Sequence, residues 1–386
     1  MIRDGLFLAI RYLGTSVWRT TVLILGLTVA AFLPLFTFLS AELVGGALMR
    51  RAESSPVLIG TQGNEFDLTM SSLYFRGQVS TALGAGVRHR LRQYGLAVPL
   101  YVAYTSDEAP IVGTSLEYFE ARGLELAAGR LPALIGELVA GAEVSKRYDL
   151  QPGDTVRSDL SNLYNIAGSY PILLRVVGIL APSNTPDDEA YFADLKTTWM
   201  LDGRFHGHVE IELQESLNPE ADEGENLEAS AAIFLFTEPE ERILASYHMH
   251  GDESEAPLTS VLVFPDSQRE HDQLLGDFRL DEHLQAVRPT VVMRTVLGIV
   301  LRVREGLSLY FGTVALSTLA FVSLVISLSL RLRWREIGLM RRIGCSRSAI
   351  ATIVGAEVFL VAAAAALLTA GLTVAGLSLV EQQLGL

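Results

Sequence analysis

Three windows free of charged side chains constrain this chain most: residues 20–41, 306–330 and 358–380, with 22, 25 and 23 residues. A hydrocarbon core ~30 Å thick offers no water to unpaired backbone groups, so it is crossed by apolar helices of ~20 residues. Each window meets that length. The windows are a minor part of the 386 residues, so the chain reads as three transmembrane helices carrying one large water-exposed domain. The mean hydropathy of +0.32 is too high for a single soluble domain and too low for a chain wholly in lipid. The expected segments are an interfacial helix over 1–19, spans over 20–43, 306–330 and 350–380, an exposed domain over 44–305, a loop helix over 331–349 and a tail over 381–386.

Arginine placement orients the spans. Arg3, Arg11 and Arg19 precede the first window, and Arg331, Arg333, Arg335, Arg341, Arg342 and Arg347 crowd the second connection against Glu336 alone. The positive-inside rule puts both segments in the cytoplasm, so the N-terminus lies inside and 44–305 outside a plasma (inner) membrane, in a multi-pass arrangement. The first window exceeds the 7–15 apolar residues of a signal core, which predicts that it is retained. Ahead of it, Leu6, Ile10, Leu13 and Val17 recur at helical spacing beside Trp18. That pattern suits an amphipathic interfacial helix with lipid contact, and a plain extension of the first span fits equally well.

Residues 44–300 hold 19 basic and 38 acidic side chains, and the rest of the chain 11 and 6. So acidic a domain excludes nucleic acid as a main partner. The single cysteine, Cys345, forms no intramolecular disulfide. Runs at 171–180 (PILLRVVGIL), 232–236 (AIFLF) and 260–264 (SVLVF) read as strands, and 116–122, 142–148 and 267–278 as helices. Their irregular interleaving predicts an α+β domain. Residues 210–228 carry eight carboxylates and no base, a solvated loop that would divide the domain into candidate subdomains 44–209 and 229–305.

Catalytic signatures are missing. Lys146 and Lys196 are the two lysines, and neither sits in a G-x-x-x-x-G-K-[ST] phosphate loop; G-x-S-x-G and H-E-x-x-H are absent as well. The chain reads as a non-enzyme without a nucleotide site. Two H-x-H pairs, His206 with His208 and His248 with His250, each put two imidazoles on one face of a strand. That spacing suits zinc or copper; histidines in exposed turns beside an acidic loop are the plainer reading.

Residues 333–346 (RWREIGLMRRIGCS), with Ile350 and Glu357 following, resemble the loop helix in membrane subunits of MacB-like, FtsX-like and LolE-like ABC transporters. The segments 111–119 (IVGTSLEYF), 124–130 (LELAAGR), 137–144 (ELVAGAEV), 150–156 (LQPGDTV) and 175–180 (RVVGIL) resemble that family's periplasmic core, in its order, and 55–60 (SPVLIG) its DevC- and heme-exporter-type branch. The resemblance implies a MacB-type periplasmic core and a permease that exports or extracts an amphipathic cargo (lipid, lipoprotein, peptide, drug or heme). It implies a separate ATPase dimer binding ATP and Mg, a second permease copy or related permease, and a periplasmic adaptor or carrier. It assigns ATPase coupling to Arg335, Glu336, Gly338, Arg341, Arg342 and Gly344. Arginines that only set topology and bind anionic lipid heads would not need Glu336 or the glycines. Glu357 stands out as an intramembrane charge, for which snorkelling is the plainer account. The family carries four spans and this sequence three; a three-span variant, a shortened chain or a helix from another subunit each accounts for that. Splitting 348–380 into two spans fails on length. The alternative function is an FtsX-like transducer that switches an extracellular cell-wall hydrolase. A sensor receptor ranks last, because only short arginine-rich segments lie inside.

Overall fold

The computed structural model describes residues 2–15, 17–77, 81–159, 171–206, 248–249, 251–332 and 334–384. In chain order the elements begin α1 (Ile2–Thr15), α2 (Val17–Glu53), β1 (Val57–Thr61), α3 (Glu65–Leu73), β2 (Leu83–Gly84), α4 (Val87–Leu91), β3 (Gly95–Ser106) and β4 (Ala109–Thr114). There follow α5 (Glu117–Arg122), β5 (Leu126–Gly129), β6 (Glu137–Ala140), α6 (Ala142–Arg147), β7 (Thr155–Arg157), β8 (Leu173–Leu180), β9 (Tyr191–Asp194), α7 (Leu195–Leu201) and β10 (Phe205–His206). The last are β11 (His248–Met249), β12 (Pro257–Leu258), β13 (Ser260–Pro265), α8 (Gln268–Asp277), β14 (Leu284–Val287), α9 (Pro289–Leu332), α10 (Trp334–Arg342) and α11 (Arg347–Leu384). The chain divides into two compact units, Met1–Gly46 with Val296–Leu384, and Ala47–Thr295.

The Ala47–Thr295 unit is built on a mixed sheet in the order β14-β1-β13-β3-β4-β9-β6-β8-β5, with β7 also on β8. β4 and β9 pair in parallel, as do β6 and β8; the other ladders of this sheet are antiparallel. Successive strand residues point to opposite faces, and both faces are buried. Val57, Ile59, Ile111, Leu138, Tyr191 and Val261 enter one core, together with Leu91, Val144, Trp199 and Leu274 from α4, α6, α7 and α8. Their neighbours Leu58, Val112, Val139, Phe192 and Leu262 enter the other, under Leu68 and Leu73 of α3 and Tyr118 and Phe119 of α5. Ala52 of α2 and Val292 and Met293 of α9 are buried in that second core. The roots of both long helices are thus part of the sheet unit's packing.

This sheet corrects the two-subdomain expectation. β13 pairs with β1 and β3, and β14 with β1, so residues beyond the acidic stretch complete the same sheet as residues before it. An acidic run in sequence says nothing of which strands later pair. The stretch 210–228 and the expected strand 232–236 lie outside the described residues. Expected helices at 116–122, 142–148 and 267–278 correspond to α5, α6 and α8, and expected strands at 171–180 and 260–264 to β8 and β13.

In the other unit, α2, α9 and α11 are each long and apolar enough to cross a membrane. α11 is one unbroken helix. α2 runs beyond its charge-free window to Glu53, and α9 begins at Pro289, well before its own. α2 continues past its apolar window through Gly45 and Gly46, which disfavour helix by about 1 kcal/mol each, into Ala47–Glu53, whose Ala, Leu, Met and Arg residues are good helix formers. At 1.5 Å per residue, 37 residues make α2 about 55 Å long, far more than the hydrocarbon core requires. α2 packs on α11 through small and hydroxylated residues: Thr28 Oγ1 donates to Ala365 O and Thr369 Oγ1 to Thr28 O, both at 3.5 Å. Gly376 is needed there, since an added Cβ would lie 2.7 Å from the Phe36 ring. None of the most apolar stretch of α9 is buried within the chain, so lipid or another chain must cover it.

Candidate functional site

The arginine-rich connection folds as α10 followed directly by α11. Its stop and restart are both encoded. Gly344 takes φ +93°, a left-handed conformation that side chains resist. There its N–H donates to Arg341 O (3.2 Å) and the Cys345 N–H to Met340 O (3.0 Å), the paired bonds of a Schellman cap. Ser346 then caps α11, its Oγ accepting from the Ala349 N–H at 3.2 Å. Arg335, Arg341 and Arg342 are exposed on α10, alongside Trp334 and Leu339, and Ile343 is exposed just past its end. Glu336 lies within the helix. Gly338 is half-buried, yet an added Cβ there would meet no atom within 4 Å, so packing inside the chain does not demand glycine. The surface is basic, partly apolar and open.

Glu357 lines a cavity of about 210 Å³ in the membrane unit together with Arg19 and Thr20 of α2. The rest of the wall is apolar, including Leu23, Leu27, Val358 and Val361. The cavity thus brings two opposite charges, Arg19 and Glu357, into one mostly apolar wall. α1 packs against α11, and its Ala9 is fully buried while Phe7 and Ile10 are exposed.

A second constellation lies at the root of α2. Arg51 is buried, and its guanidinium clasps Asp187 in a bidentate pair, Nη1–Oδ2 2.6 Å and Nη2–Oδ1 2.8 Å. Its Nε donates to Leu73 O (3.0 Å) and its Nη2 also to Tyr118 Oη (3.0 Å). Asp187, in the short helical turn Pro186–Glu189, further accepts from Tyr118 Oη (2.6 Å) and Thr185 Oγ1 (2.9 Å). Burial opposes its ionisation, but Arg51 overrides that and holds the carboxyl below its usual range. Burial pushes the Tyr118 phenol up to about 12, and the Asp187 charge adds to it. Around this core, Tyr74 Oη donates to Leu48 O (2.7 Å), and Arg122, whose guanidinium carbon stands 5.7 Å from the Tyr118 ring centre, donates from Nη1 to Ser54 Oγ (2.9 Å). Three segments far apart in sequence converge on the last turn of α2.

Nothing in the sequence singles out Asp187 or Tyr118. Arg51 does carry a signal: Arg50 and Arg51 follow the first span on the side where the positive-inside rule expects few arginines. Of the two histidine pairs, one member of each, His206 and His248, are register partners across the β10–β11 ladder, and no group of three or more metal-ligating side chains lies together among the described residues. His208 and His250 lie outside the described residues.

A family model described as the MacB-like periplasmic core domain matches residues 20–232, more than half of the chain. None of the curated proteins compared matches it. Among solved structures, the periplasmic region of MacB from Actinobacillus actinomycetemcomitans is similar, with a TM-score of 0.36 and 12% identity over 64% of this chain and 97% of that one. By the family match over residues 20–232, the chain belongs to the MacB-like family of ABC-transporter permeases, which carry a periplasmic core domain on membrane-spanning helices.

Proposed function

We propose that this chain is the permease subunit of a mechanotransmission-type ABC transporter, driven by a separate ATPase chain that binds ATP and Mg. In this reading α10 faces the cytoplasm and docks on the ATPase through Arg335, Glu336, Arg341 and Arg342, with the open space at Gly338 allowing close approach. Two ATPases serve a pair of permeases, the sheet unit works in the periplasm with an adaptor or carrier, and the cargo is amphipathic. ATPase closure displaces α10, and the displacement travels along the long helices to the outside without a polar channel through the lipid.

The observation that carries the reading is the build of α2. It is a single helix from its charge-free window to Glu53, and its last turn is clasped by the Arg51–Asp187–Tyr118 network. A helix merely tethering a soluble domain needs no such clasp. A lever does, because a loose joint would absorb the stroke before it reached the sheet.

The test uses the full chain with its ATPase in lipid nanodiscs. A spin label at the exposed Leu280 of each copy reports the distance between sheet units. Adding ATP is expected to shift that distance. The double variant R51M/D187L, which removes both charges together, is expected to keep the ATPase bound and to blunt the shift. An unchanged ATP response in that variant would overturn the lever.

A further inference from the structure

The helical unit Met1–Gly46 with Val296–Leu384 holds a second cavity, near the end of the first charge-free window and the start of the second. Its volume is about 470 Å³, within the ~300–1,000 Å³ of small-molecule sites. Pro34, Thr37 and Phe38 of α2 form one wall, and Glu305, Phe311, Gly312 and Ala315 of α9 the other. Glu305 stands immediately before the charge-free window of α9, at its mouth.

The chemistry of this wall is one-sided. Its charge is a single carboxylate, and two aromatic rings accompany it. The two hydroxyls present are committed to their own helices: Thr37 Oγ1 donates to Leu33 O and Ser308 Oγ to Glu305 O, each at 2.7 Å. Selection therefore falls to Glu305 and the rings. Gly312 and Ala315 keep the slot open, and a Cβ at Gly312 would meet nothing within 4 Å. The cavity lined by both Arg19 and Glu357 is charge-balanced by contrast and has no such preference.

We propose that this cleft binds a lipophilic monocation, its charge against Glu305 and its apolar body against Phe38, Phe311 and Ala315. Carboxylate attraction and the negative faces of aromatic rings both favour a cation. An anion of the same shape finds no such attraction in the lining, although the exposed Arg302 stands one helical turn from Glu305, and a neutral molecule gains only burial. The proposal rests on the transport reading and narrows its cargo to amphipathic cations.

Two ions of nearly identical shape and opposite charge make the test. The full chain in phosphatidylcholine nanodiscs, with empty nanodiscs as reference, is titrated with tetraphenylphosphonium and with tetraphenylborate. Saturable binding of about one phosphonium per chain is expected, with no saturable borate binding. E305Q should weaken the phosphonium at least about tenfold, E305D should restore most of it, and A315W should abolish it. Equal binding of both ions, or E305Q binding at full strength, would overturn the proposal. So would efficient cross-linking of two copies through A315C in a C345S background, since the cleft would then be a contact between copies. Binding needs no ATPase, so its failure is separable from failure of the coupling reading.

Discussion

At the root of α2 one arginine disappears into the sheet unit, while on α10 three stand in the open. Arg51 has its guanidinium fixed on both sides by a carboxylate, a phenol and a carbonyl. Arg335, Arg341 and Arg342 project from a nine-residue helix held between a glycine stop and a serine start. The chemistry is the same and the use is opposite. A buried guanidinium with a rigid fork holds two parts of the fold at fixed distance, whereas exposed ones present charge to whatever docks. The contrast separates an arginine that fixes the fold from arginines that the proposed coupling assigns to docking, and that division can be broken from either side.

The largest effect should come from halving the buried pair. R51A leaves Asp187 charged and buried, and a broken buried pair costs about 3–5 kcal/mol. Thermal unfolding of the full chain in detergent should show a matching fall for R51A. R51M/D187L should recover much of it, because no orphan charge remains. Acid should reveal the same pair. Asp187 titrates below the ~3.9 of an unfolded aspartate. Its contribution is therefore complete above about pH 4 and is lost as pH falls through the lower folded value. Acid titration of D187N should lack that loss.

A smaller effect is expected at the α10 stop. G344A forces a side chain into φ +93°, at about 1–2 kcal/mol, and should destabilise the α10–α11 turn, read as faster amide exchange there. R341A/R342A marks the other pole: unfolding should move by no more than about 0.5 kcal/mol, while ATPase retention collapses. Least of all for the fold, the reading of the H-x-H pairs as ligands predicts bound zinc or copper that H206A and H248A remove. Metal-free native protein would end it.

The parts legible in the sequence share one property: their cause is local. A charge-free window spans lipid by its own length, and the Gly344-x-Ser346 spacing ends one helix and begins another within three residues. The strands at 173–180 and 260–265 show the same. What was hidden depends on distant partners. Asp187 meets Arg51 across 136 positions, so no window contains both. β13 slots between β1 and β3 from the far side of an acidic stretch, which is why that stretch looked like a boundary. The helical extension of α2 past its window escaped for another reason, since hydropathy reports solvent and not backbone conformation. The loop residues named from resemblance sit together on α10 and at its cap, whereas the clasp they would drive had only the misplaced arginine to announce it.

The central claim, that exposed charge on α10 grips an ATPase, is tested most directly by tagging the full chain in its own membranes and purifying it with and without R341E/R342E. The account predicts that an ATPase chain accompanies the unaltered protein in near-equal amount and is lost from the charge-reversed one, with the unfolding temperature unmoved. An unaltered chain recovered active and alone, or a reversed chain that keeps its ATPase, would contradict it.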